Sequence, residues 1–73
     1  MAKNVIDDRD IQIIIALADN NMSRNKAANA VYMHRESVVY HIKKVHRLTG
    51  LNPMNFYDLH KLVPMMKERL NNG

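Results

Sequence analysis

The stretch SRNKAANAVYMHRESVVYHIKKVHRLTG, Ser23–Gly50, decides how the rest of the chain is read. It divides into a short helix, a tight turn and a longer basic helix. Ser23 is the expected N-cap of the first, because its hydroxyl can accept a hydrogen bond from a backbone N–H with no partner inside the helix. Ala27, Ala28 and Val31 follow at i, i+1 and i+4, a small-residue face on which another helix can sit closely. Beyond the turn, Val38, Ile42, Val45 and Leu48 recur at helical spacing as an apolar stripe. Met33 stands between the two stripes, where the helices meet. Two helices at a steep angle, joined by a few residues, form the skeleton of a helix-turn-helix.

The charges of the second helix of this pair lie off its stripe. Arg35, Lys43, Lys44 and Arg47 set four positive charges against the carboxylate of Glu36. His34, Ser37, Tyr40 and His41 add donors and acceptors of a length that reaches base edges or phosphate oxygens. Ser37, His41 and Lys44 share roughly one face, with His34 at its start, while Glu36, Tyr40, Lys43 and Arg47 share the next. The whole chain carries a net charge of +4, and four of its eleven Lys and Arg fall between residues 35 and 47. A charge run alone would favour an ordinary solvated face. Preceded by an Ala-Ala helix and a turn of this length, it reads as a surface for a polyanion, with DNA foremost.

These residues carry a family resemblance. Ala27-Ala28, Val31 through Ile42 and Leu48-Thr49-Gly50 resemble the C-terminal helix-turn-helix of PucR-type regulators, the purine-catabolism and sugar-diacid activators related to Fis-like modules. The His34-Arg35 opening, Tyr40 at the sixth residue from Arg35 and the Leu-Thr-Gly ending carry most of the match, which covers about residues 8–66. Glu36 stands where the family usually has Asn, Ser37 where it has Thr, and His41 where it has Arg. The resemblance implies a four-helix DNA-binding domain of a bacterial-type transcription regulator, in which the third helix enters the major groove. It implies no effector site, since ligand sensing in that family lies in other domains.

Outward from this core, Asp7 or Asp8 is placed to cap a first helix, with Asp10 in its first turn near the positive end of the helix dipole. Ile11, Ile14, Ile15 and Ala18 form one apolar face, and Ile13 and Leu17 widen it to most of the circumference. So apolar a helix is buried on more than one side, inside the fold or against a second copy of the chain. Asn20 or Asn21 can end it in the left-handed conformation. Tyr32 occupies the turn position where many such motifs place Gly, and a ring packed on the core would compensate a positive φ there. After Gly50, Asn52-Pro53 breaks the helix. Asn55 caps a fourth, Asp58 is placed to close a capping box, and Phe56, Leu59, Leu62 and Val63 form the apolar face. Pro64 ends or bends that helix. Val5 and Ile6 can staple onto the first helix.

The expected architecture is all-α, with helices about 8–20, 24–32, 35–48 and 55–70, a break or kink near Pro64, and frayed residues 1–6 and 71–73. The chain of 73 residues forms one domain. It has no cysteine, so neither a disulfide framework nor a thiolate metal site exists. His34 and His41 are two turns apart, with no carboxylate grouped beside them in the sequence, so no metal and no cofactor are expected. Ser37 and His41 are i, i+4, but no acid or oxyanion site accompanies them, which argues against an enzyme. Met54, Met65 and Met66 read as core or dimer contacts rather than an adaptable docking face. No apolar run approaches the roughly 20 residues of a membrane span, and a signal-peptide core is missing from the start, so a cytoplasmic protein is expected. The DNA-binding residues expected are His34, Arg35, Glu36, Ser37, Tyr40, His41, Lys43, Lys44 and Arg47. A homodimer would present two copies of the third helix. The rival reading is a small helical adaptor without DNA contact.

Overall fold

A computed structural model describes residues 5–72 of the chain. Four helices follow one another: α1 (Asp8–Asp19), α2 (Arg24–Ala30), α3 (Arg35–Thr49) and α4 (Phe56–Asn72). No strand occurs among the described residues.

α1 is the hub. It packs against each of the other three helices, and α2 packs against α3. Ile13, Ile14 and Leu17 are completely buried, with Ile11 and Ala16 close behind. The chain itself therefore covers the wide apolar face of α1, and a second copy is not required to hide it. Each fully buried aliphatic side chain contributes about 1.5–3 kcal/mol. α1 starts with a reciprocal cap: the Asp10 N–H donates to Asp7 Oδ1 at 2.9 Å, and the Asp7 N–H donates to Asp10 Oδ2 at 3.0 Å. Ile6, just before the cap, is partly buried against the core and so is not frayed.

α1 and α2 end alike. The Met22 N–H reaches back to the Leu17 carbonyl at 2.8 Å, and the Met33 N–H to the Ala28 carbonyl at 2.9 Å. This closure requires a left-handed residue between, here Asn21 and Tyr32, each at φ 57. α2 therefore stops at Ala30, short of the expected 32, because residues 31–33 form the closing turn. The Tyr32 ring does not pack on the core as expected; the residue is 96% exposed. Ser23 caps α2 by accepting from the Lys26 N–H at 3.2 Å. Ala27 and Ala28 are buried, which lets α2 lie close to its neighbours.

α3 buries Val38, Ile42 and Val45 and closes at Gly50, whose φ of 76 suits a residue without Cβ. The loop that follows is knitted by side chains. Thr49 Oγ1 accepts from the Leu51 N–H at 3.1 Å, Asn52 Oδ1 from the Met54 N–H at 3.0 Å, and Asp58 Oδ2 from the Asn52 N–H at 3.0 Å. Asp58 thus ties down the loop instead of completing a capping box. Asn55 does cap α4, with its Oδ1 accepting from the N–H groups of Tyr57 and Asp58.

α4 continues through Pro64 to Asn72, so of the two expected courses, ending at Val63 or carrying on beyond the proline, it takes the second, and it passes the expected end at 70. Losing one helical bond at Pro64 is offset because Leu62 before it and Met66 after it are both buried, which keeps both halves on the core. Phe56, expected on the apolar face, is 64% exposed, whereas Met66 is buried. The expected fraying at residues 1–4 and 73 lies outside the described residues.

Candidate nucleic-acid interface

α3 divides into two polar faces with different fates. Arg35, Glu36, Tyr40, Lys43 and Arg47 are exposed, and His46 joins them near the end. This surface carries three permanent cations and one carboxylate, with a phenol at its centre. Their exposure follows from the stripe of Val38, Ile42 and Val45, which turns the opposite side of the helix inward.

On the other face, His41 and Lys44 lean on α1, while Ser37 is half-buried near α2. Lys44 is 4% exposed, and its Nζ lies 2.7 Å from Asp10 Oδ2 and 3.4 Å from Asp7 Oδ2. His41 Nδ1 lies 2.5 Å from Asp10 Oδ1. Asp10, completely buried, thus meets two side chains of α3 while its Oδ2 also accepts the Asp7 N–H of its own cap. An unpaired buried carboxylate would cost several kcal/mol, and these partners are what make it tolerable.

The expectation that Lys44 neutralises phosphate is therefore corrected: its ammonium is spent inside the protein. His41 has one ring nitrogen committed to Asp10 and a side chain 16% exposed, so at most its other edge is open. The expectation that no carboxylate accompanies a histidine is corrected too. Asp7, Asp10 and His41 bring ligand-type atoms within 4.8 Å of one another, but the Lys44 ammonium already supplies the positive charge that this group calls for. The hydrogen bond that Lys44 donates to Asp10 holds its pKa above the usual range. The backbone bond from Asp10, with Lys44 close by, holds the Asp7 carboxyl below its usual range.

The sequence held a signal for this cluster. Asp10, Ile13, Ile14 and Leu17 stand at i, i+3, i+4 and i+7, so the carboxylate is in register with three fully buried residues. An acid in phase with a core stripe needs a cationic partner, and among the described residues Lys44 and His41 on α3 supply it.

The entrance to α3 is open. His34 is its N-cap residue but makes no side-chain hydrogen bond to the first turn, which leaves the exposed imidazole free for other contacts. His34, Arg35, Glu36 and Ser37 line one shallow depression. A second depression joins Arg35 to Arg24, Ser23 and Asn25 at the start of α2, so the basic surface extends onto the preceding helix. Arg24 was not among the residues expected at the interface. It sits eleven positions before Arg35, and only the crossing of α2 and α3 brings them together.

Residues 11–66 match the family model of the PucR C-terminal helix-turn-helix domain. No curated protein and no solved structure shows a significant match to the chain. No helix among the described residues is long and apolar enough to cross a membrane.

Proposed function

The chain belongs to the PucR C-terminal helix-turn-helix family, a membership that points to DNA binding and transcription regulation, and from this premise we propose that it binds duplex DNA in a sequence-specific manner. α3 enters the major groove and α2 crosses the backbone beside it. The single observation that carries this reading is the sorting of charge on α3: Arg35, Lys43 and Arg47 stay exposed, whereas Lys44 is neutralised inside. Lys43, Arg47 and Arg35 neutralise phosphates, which fixes register without reading sequence. His34, Glu36, Ser37, Tyr40 and the free edge of His41 face bases or the adjoining sugar-phosphate.

A two-fold dimer suits this reading: one copy offers one recognition helix, and two copies, each at most 28 Å across, would set theirs a DNA turn apart, about 34 Å. With α1 enclosed, α4 offers apolar surface for a two-fold contact, since Phe56, Tyr57, Met65 and Leu70 are exposed on it. Such a regulator meets its DNA in the cytoplasm.

Selection from a random duplex library by mobility shift tests the reading. Enrichment of a defined motif supports it. Lys43→Ala and Arg47→Ala should weaken binding to all duplexes alike and flatten its salt dependence, since each removes a phosphate contact and its released counterion. No enrichment, with salt-insensitive binding to protein partners instead, would favour the adaptor reading. Sedimentation of the protein alone and on DNA tests the dimer.

A further inference from the structure

We propose that Tyr32 is a DNA-backbone contact whose phenol donates to a phosphate oxygen beside the groove that α3 enters. The proposal rests on the duplex-binding reading above, and it assigns a role to a residue that the recognition helix does not contain.

The residue is in the wrong place for folding. Four described residues have positive φ: Asn21 at 57, Met22 at 66, Tyr32 at 57 and Gly50 at 76. Gly50 has no Cβ to strain, and Asn is the residue type besides Gly that best tolerates the left-handed region. Met22 bears the strain but is partly buried against the core, which offsets it. Tyr32 has neither excuse. The closing turn of α2 demands the left-handed backbone through the Met33 N–H to Ala28 carbonyl bond, and glycine would meet that demand without penalty. The ring returns nothing in packing, since the residue is 96% exposed. Strain that folding does not need, held at a turn beside a binding helix, points to a contact made outside the chain.

Its surroundings indicate what that contact is. Tyr32 shares one open notch, about 480 Å³, with Ala28, Asn29, Met33, His34 and Ser37. The polar lining consists of a phenol, an amide, an imidazole and a hydroxyl, all able to donate hydrogen bonds, and no carboxylate is among them. That set suits a phosphodiester, which is anionic and accepts hydrogen bonds, with the phenol ring lying along the apolar deoxyribose. His34 and Ser37 belong also to the start of α3, so a strand followed by this notch would flank the groove that α3 reads.

Two variants test it, each measured for thermal stability and for affinity to the selected duplex. Tyr32→Gly should melt at a higher temperature, because the strain is relieved, yet bind the duplex about tenfold more weakly, the loss of one charge-assisted hydrogen bond. Tyr32→Phe should melt like the parent and lose most of the same affinity. Opposite signs for stability and binding are not what a purely structural residue produces. Full-strength binding by both variants would overturn the proposal, as would a lower melting temperature for Tyr32→Gly. Duplex binding that responds to Lys43→Ala and Arg47→Ala but not to Tyr32 removes Tyr32 alone; a parent protein that binds no duplex removes the duplex reading and this proposal together.

Discussion

The Lys44 ammonium on α3 stands 2.7 Å from the Asp10 carboxylate on α1, and both side chains are buried. With His41 on the other oxygen of Asp10, the contact pins the start of α1 across the middle of α3. It also divides two adjacent lysines into different tasks: Lys43 faces outward and Lys44 inward.

Lys44→Ala should therefore destabilise the domain by about 3 kcal/mol, since it leaves the buried Asp10 carboxylate without its strongest partner. Lys43→Ala, on the exposed face, should change stability by no more than about 0.5 kcal/mol while weakening duplex binding. Urea unfolding of the two variants side by side measures the difference. Equal small effects would mean that the buried pair does not hold α1 to α3.

The same cluster sets the pH dependence of stability. Asp7 is held below its ordinary 3.8, first by the Asp10 N–H and then by Lys44. Its contribution is thus present above pH 3.8 and is lost as pH falls through the lower folded value. Lys44 is held above its ordinary 10.5 by the hydrogen bond it donates to Asp10. Its contribution is complete below pH 10.5 and disappears as pH rises through the higher folded value. Melting temperatures recorded across the range should fall at both extremes, and Asp7→Asn should flatten the acid limb most and the alkaline limb less, since Asp10 still holds Lys44 charged.

Ala28 is 3% exposed on the face where α2 meets its neighbours. A leucine there adds bulk on a buried face, with only the notch beside Tyr32 to turn into, and should push the helices apart at roughly 1–3 kcal/mol. Thermal denaturation of Ala28→Leu checks this. An unchanged melting temperature would show that α2 can shift without loss.

Glu36 is exposed in the first turn of α3, where the helix dipole favours a carboxylate but DNA phosphates repel one. If it accepts from a cytosine amino group, Glu36→Gln should lower preference at one base pair by about 1–3 kcal/mol and slightly raise non-specific affinity. Repeating the duplex selection with the variant decides it. An unchanged motif would leave Ser37, Tyr40 and the free edge of His41 as the reading residues.

The helices and their ends were legible in the chain because they rest on short-range physics. Asp7, Ser23, Asn55 and Gly50 act on backbone groups within a few residues, and the stripes of α1 and α3 repeat with the helical period. What lies across the fold was not legible. Asp10 and His41 are 31 positions apart, and Asp7 and Lys44 are 37 apart. Nothing local distinguishes Lys44 from Lys43; only the crossing of α1 over α3 decides which ammonium is buried. Tyr32 shows the division at one residue. Its left-handed backbone follows from the turn, a local property, but whether the ring lands on the core depends on where α2 and α3 leave room, and they leave it in solvent. Pro64 is the converse case. The sequence leaves the helix free to end or to bend there, and the burial of Met66 beyond it decides for continuation, because tertiary packing outweighs one lost hydrogen bond.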